Sequence, residues 1–177
     1  PNDTVDADNA LNTSADVESL LVGAYNALGD GDVLGGNIQR DAELMGDGGE
    51  VFWDGTFVAP DQIFYKEMLI TNDQARQTWL DAYAAINICN TVLANIDLVS
   101  DDRKERVEGE AKFVRALVYF ELVRVYARAW NDGDPTENPG VPLVLDPTTI
   151  DNVTAKTIRN PVSEIYTQVI SDLDDAV

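Results

Sequence analysis

The sequence predicts an all-α protein assembled from helical hairpins with long irregular loops. Three observations carry this. Across residues 101–130, apolar residues recur at alternating steps of three and four, the period of one helix face. Residues 78–99 repeat the pattern, and only the short acidic stretch 100–102 separates the two. Helices joined so closely lie side by side and antiparallel. Strand character is confined to residues 141–145, where Pro142 interrupts it, so this is at best an edge strand.

Taken in order, residues 1–12 are polar and extended. Thr13 or Ser14 caps a first helix, and Asp16 completes a capping-box pattern with Thr13. That helix runs through Val17, Leu20, Leu21, Ala24 and Leu28 and stops at Gly29. A glycine-rich turn occupies residues 30–37, and a short helix around 38–45 follows. Residues 46–60, GDGGEVFWDGTFVAP, form a long loop in which glycine and acid alternate with Phe52, Trp53 and Phe57. A helical pattern resumes at 63–69, with Pro60 and Asp61 suited to its first turn. The helix at 78–99 presents Trp79, Tyr83, Ile86, Leu93 and Ile96. Asn87 and Asn90 intrude near that face in structural roles, hydrogen-bonding a neighbouring loop.

Residues 101–130 make the central helix, roughly 40 Å long. One stripe is Val107, Ala111, Val114, Val118, Leu122, Val125 and Ala129, and a second is Phe113, Leu117 and Phe120, so the helix packs from more than one side. Between them runs a charged seam of Arg103, Arg106, Glu110, Glu121, Arg124 and Arg128, with ion-pair spacings at Arg106–Glu110 and Glu121–Arg124. Arg115 lies off the seam, beside Tyr119, Leu122 and Tyr126. A snorkelling head group is one reading. The other, which is the expectation here, is a substantially buried structural arginine paired with a carboxylate from another helix. Residues 131–140 and 146–159 are loops. Asn160 caps a last helix with Pro161 at its first position and an apolar face of Ile165, Val169, Ile170, Leu173 and Val177. No partner helix follows, so residues 1–177 read as one helical segment cut at its C-terminal end. Pro1 reads as the start of an excised piece or of a chain whose leader was removed.

The 177 residues fit one domain, with 45% apolar residues and a net charge of −20. Only four lysines occur, so a basic footprint for nucleic acid is absent. An anionic membrane surface would repel the chain, and no apolar run reaches 18 residues. The single cysteine, Cys89, forms no intrachain disulfide and reads as a small buried hydrophobe. There is no histidine, which removes Ser-His-Asp and Cys-His constellations and His-containing zinc sites.

Few motifs suggest chemistry. Asp30-Gly31-Asp32, Asp47-Gly48-Gly49-Glu50 and Asp132-Gly133-Asp134 offer oxygen ligands, but none sits in a twelve-residue calcium loop with a closing glutamate. They read as solvated turn acids, and no metal or cofactor is expected. No phosphate cradle is present. The 32 acids single out no carboxylate pair for glycoside hydrolysis, and no catalytic residue is assigned. The loop with Phe52, Trp53, Asp54 and Phe57, flanked by Asp47 and Glu50, is the best candidate ligand surface. Aromatic faces beside acids suit sugar rings, whose C–H faces stack while their hydroxyls bond the carboxylates. The competing reading is that Trp53 and Phe57 pin the loop to the helices. Trp79 could open a tetratricopeptide repeat, but the expected spacing of small residues and tyrosine does not follow.

Residues 107–126, VEGEAKFVRALVYFELVRVY, followed after a loop by 139–145, PGVPLVL, resemble the SusD/RagB family, in which a segment like GEAKFLRALYYFDLVRLYG leads into GVPLV. Ala24-Tyr25-Asn26-Ala27-Leu28, Trp79-Leu80-Asp81-Ala82-Tyr83 and Asn160-Pro161-Val162-Ser163-Glu164-Ile165-Tyr166 agree as well, so the resemblance covers most of the chain. Ala127 stands where the family has glycine, and the loop 128–138 is longer than usual. The resemblance implies tetratricopeptide-like helix pairs and the N-terminal part of a larger outer-membrane lipoprotein. It implies non-catalytic capture of oligosaccharides or polysaccharides at the cell surface. The captured glycan would be delivered to a SusC-like TonB-dependent transporter in nutrient uptake, and the chain would touch the membrane only through a lipid anchor outside this sequence. It transfers no binding residue. The alternative is a helical-repeat scaffold binding a protein or peptide.

Overall fold

Helix α5, Asp101–Tyr126, is the element against which most of the others pack. The structure is a computed structural model, and it describes residues 11–46, 48–149, 152 and 157–177. The remaining helices are α1 (Ser14–Leu28), α2 (Asn37–Met45), α3 (Val58–Phe64), α4 (Asp73–Ala94) and α6 (Val162–Asp174). No strand occurs among the described residues. The first stripe of α5 is buried from Val107 through Leu122. It packs on α4 and α1, while α6 covers another side. Two clusters make the core. One, around Ala82, Ile86, Tyr119 and Ile165, joins α4, α5 and α6, and the other, around Val17, Cys89 and Val114, joins α1, α4 and α5.

Local chemistry explains the helix ends. Thr13 caps α1 and forms a full capping box with Asp16. Asn72 caps α4: its side chain accepts from the Ala75 N–H at 3.0 Å and donates to the Ala59 carbonyl and Gln62 Oε1, each at 3.0 Å. α4 therefore begins at Asp73, five residues before the expected start, because its first turns are polar and carry no apolar period. It ends at Ala94, and a short 3-10 turn at Ile96–Leu98 leads into α5. α3 also lies earlier than the 63–69 expected. Pro60 is tolerated in its first turn, where its missing N–H has no intrahelical partner, and Lys66 at φ 58° follows the helix end. α5 stops at Tyr126 and not Trp130, since Ala127 is extended, so Arg128 and Ala129 fall outside the helix.

Two further expectations are corrected. Asn160 does not cap α6: Pro161 holds that position, and the Asn160 side chain accepts from the Leu143 N–H and donates to Glu164, each at 2.9 Å. Residues 141–145 form no ladder. They are held by the Tyr119 hydroxyl, which accepts from the Val144 N–H at 2.7 Å and donates to the Val144 carbonyl at 2.8 Å. The apolar face of α6 is only partly buried, as the lack of a following partner helix implies: Ile165 and Val169 are inside, whereas Ile170, Leu173 and, beyond the helix end, Val177 are exposed. Ile170 and Leu173 line a groove shared with Phe113, Leu117 and Phe120, the second stripe of α5. Gly109 in α5 is where a side chain would not fit easily, since a Cβ there would lie 3.3 Å from the Ala176 carbonyl oxygen.

Arg115 joins three helices. It is 6% exposed, and its Nε and Nη2 donate to the two carboxylate oxygens of Asp172 in α6 at 2.8 and 2.7 Å. Its Nη1 donates to Asn90 Oδ1 in α4 at 2.9 Å. The Asn90 amide in turn donates to the Val144 and Asp146 carbonyls at 3.0 and 3.2 Å. Asn87 Oδ1 accepts from the Thr148 N–H at 2.7 Å. Removing one member of a buried pair strands the other charge, so Arg115→Met or Asp172→Ala should each cost about 3–5 kcal/mol of unfolding free energy. Chemical denaturation measures this, and the double variant should lose clearly less than the sum of the two.

Candidate functional site

The start of α4, helix α2, and the loop before α3 enclose a cleft of about 290 Å³. Asn72 fixes the α4 wall, which presents Asp73, Gln74 and Gln77. The opposite wall is Trp53, Phe57, Ala59 and Pro60, with Asp32, Asn37 and Arg40 completing the cleft. Trp53 is half-buried because its ring lies over Gly55, where a Cβ would come within 2.3 Å of Cζ2. Phe57 at the lip is 73% exposed, and Phe52, outside the lining, is 70% exposed.

Of the residues the sequence singled out, the structure therefore brings Trp53 and Phe57 into one cleft. Glu50 and Asp54 are solvent-exposed on the same loop but do not line it. Asp47 lies outside the described residues. Arg40, Asn37, Gln74 and Gln77 were not anticipated. One signal was available: Arg40 is the first cation in the chain, and the next, Lys66, comes 26 positions later, so an isolated charge sits in an acidic half.

The polar groups around the cleft are interlocked. The Asn37 amide donates to Asp32, the Gln74 amide to Asp41, and the Gln77 amide to both oxygens of Asp81 at 3.0 and 2.9 Å. Arg40 Nε donates to Asp41 at 3.2 Å. Two donors on the cleft residues, Arg40 Nη2 and Trp53 Nε1, are shielded from solvent and have no hydrogen-bond partner. Asp30, Asp32 and Asp81 bring carboxylate oxygens within 4.8 Å of one another, a spacing that a cation could bridge. Cys89 offers no thiolate, since burial pushes its thiol up to about 12. Asp41, the acid that burial moves upward, does not line the cleft.

The profile of a SusD-like family, described as starch-binding associating with outer membrane, matches residues 4–177. The chain belongs to the SusD-like family. SusD-like protein P2 of Formosa agariphila is 26% identical over 167 residues, which is 93% of this chain and 30% of that protein. A SusD-like carbohydrate binding protein of Bacteroides vulgatus superposes with a TM-score of 0.75 at 25% identity, over 94% of this chain and 35% of the other. A laminarin binding SusD-like protein shares the fold at a TM-score of 0.71 and 21% identity, over 94% of this chain and 34% of that one. The chain thus spans about a third of the length of these SusD-like relatives. Its all-helical architecture is that of the SusD superfamily.

Two predictions arise from this geometry. Gly55→Ala should force the Trp53 ring off the loop, because nothing smaller than that displacement relieves a 2.3 Å approach; tryptophan fluorescence should report a changed Trp53 environment with α-helical circular dichroism retained. Asp41 gives a pH dependence. Burial raises its carboxyl above the usual range, ahead of the opposing pull of Gln74 and Arg40. A raised folded-state pKa means that its stability contribution is full below the unfolded value of about 3.9 and is lost as pH rises through the folded value. Asp41→Asn removes that loss and keeps an oxygen for Gln74, so its Tm advantage over the wild type should grow from about pH 4 to pH 7 in thermal unfolding.

Proposed function

We propose that this chain is the helical part of a non-catalytic SusD-like protein that captures oligosaccharides at the outer-membrane surface. The captured glycan would pass to a SusC-like TonB-dependent transporter. The membrane attachment would be a lipid anchor outside this sequence, as the family resemblance implies; no described helix is long and apolar enough to cross a membrane. The observation that carries the reading is the aromatic loop. In a member of this family, Phe57 stands 73% exposed at the lip of a polar cleft that half-buried Trp53 also lines, and Phe52, on the same loop but outside the lining, is 70% exposed. Exposed phenyl faces give sugar C–H surfaces a stacking partner, and the nearby carboxylates accept from hydroxyls. The sequence has no histidine, the commonest general base, which fits capture without turnover.

A protein- or peptide-binding scaffold is the second reading, and a separate observation favours it. Met68, Leu69 and Ile70 form an exposed apolar patch running to Trp79 and Leu80. The two readings separate in one experiment. Isothermal titration of the full chain with laminarin and maltoheptaose should show binding, and Phe57→Ala or Trp53→Ala should weaken it about tenfold, near 1.4 kcal/mol. The scaffold reading predicts silent titrations with every glycan.

A further inference from the structure

Away from the cleft, α5 and α6 leave an apolar groove of about 340 Å³ open between them. Its walls are Phe113, Leu117 and Phe120 of α5 and Tyr166, Ile170 and Leu173 of α6, and every residue lining it is apolar or aromatic. Phe113 is 45% exposed and Ile170 is 57% exposed. The two helices run antiparallel, since Lys112 pairs with Asp175 at 3.0 Å at one end and the Phe120 ring meets Tyr166 edge-on at 6.2 Å toward the other. Single exposed apolar residues are ordinary, but a contiguous apolar groove marks a docking surface.

Shape and charge say what fits it. Ile170, Leu173 and, just past the helix end, Val177 form an exposed ridge at helical spacing along α6. Such a ridge is what a groove between two helices accepts. Groove and ridge stand side by side on one molecule, which a two-fold axis turns into a self-complementary interface. The end beyond Leu173 is acidic: Glu105, Glu108 and Asp175 line a neighbouring pocket with only Lys112 to offset them, and Asp174 is exposed beside it. The opposite end carries Arg124, whose guanidinium lies 5.2 Å from the centre of the Phe120 ring. Its side chain is 47% exposed, whereas that of its ion-pair partner Glu121 is 13% exposed. Glu164, in the first turn of α6, accepts from the Asn160 amide at 2.9 Å. A second α6 laid antiparallel on the first sets each acidic end against the other copy's Arg124, whereas a parallel arrangement would stack the acidic ends on each other.

We propose that this groove is a homodimer interface, in which two copies pack α5 and α6 as an antiparallel four-helix layer with the α6 ridge of each copy in the groove of the other. None of the cleft residues lines it. One groove and one ridge per copy make an interface at the small end of the usual range. Each copy carries a net charge of −20. Association is therefore micromolar and tightens as salt screens the repulsion between copies.

Sedimentation equilibrium of the full chain tests this. Twice the chain mass is expected at high micromolar concentration, with association about threefold tighter at about 0.3 M than at about 0.05 M NaCl. Ile170→Glu, at an exposed position, should leave only monomer with circular dichroism and Tm retained. Leu80→Glu, in the separate patch beside Trp79, should stay dimeric. Orientation is read by oxidation of cysteine variants. Ile170→Cys should give a disulfide-linked dimer, because the middle of the ridge lies near the two-fold axis, and Asp174→Cys should not; Cys89 is buried. If Ile170→Glu fails to fold, the two cysteine variants decide. A chain that is monomeric at every concentration and salt overturns the proposal. So does a dimer that survives Ile170→Glu, or one that Leu80→Glu abolishes. Cross-linking through Asp174→Cys overturns the antiparallel arrangement.

Discussion

Arg115 occupies the junction of α4, α5 and α6, and all three of its nitrogens donate there: two bonds to Asp172 and one to Asn90. A buried ion pair adds little net stability over a well-packed apolar group, because desolvation offsets the attraction. What it imposes is geometry. The guanidinium is planar, and the carboxylate it grips must approach in that plane, which sets how α6 lies against α5. Asn90 extends the same network into the loop after α5 through the Val144 and Asp146 carbonyls, and Tyr119 holds the Val144 peptide from the other side. A loop with no sheet to satisfy its backbone is thus tied to the helices by side chains.

Side-chain contacts continue from that junction along α5 to the start of α4, which lines the cleft. At the far end of α5, the Tyr126 hydroxyl donates to the Ala75 carbonyl at 2.6 Å, and its ring meets Trp79 edge-on at 5.1 Å. Asn72 then joins the first turn of α4 to α3. The turn carrying Asp73, Gln74 and Gln77 is therefore fixed from the α5 side and from the α3 side. The facing loop is held by Trp53 lying over Gly55 and runs into α3, whose Pro60 is buried.

Much of this scaffold was legible in the sequence because helices announce themselves by period. The stripe from Val107 to Leu122 marked the central helix, Thr13 and Asp16 marked a cap, and Arg115 stood out by lying off the charged seam among apolar neighbours. Boundaries were missed where polarity hid the period, as in residues 73–77, or where a local bond competed, as when Asn160 turned its side chain toward Leu143 and Glu164. The cleft was only half legible. Trp53 and Phe57 share one loop and could be seen together. Arg40, Gln74 and Gln77 come from two other helices, and nothing in a linear pattern says that α2 and the start of α4 will converge on that loop.

Exposed aromatics alone would not define a site, since single apolar residues are common on protein surfaces. Nor would an unpaired donor alone, which ordered water satisfies elsewhere. Their coincidence is more restrictive. Burying Phe57 against the helices would gain about 1.5–3 kcal/mol, yet the loop leaves it outside and spends its fixed contact on Trp53, whose N–H then points to no protein acceptor. The surface a ligand would meet here is the exposed Phe57 face together with Asp32 and Asp73 at the cleft, because Arg40 Nη2 and Trp53 Nε1 are themselves closed off from solvent.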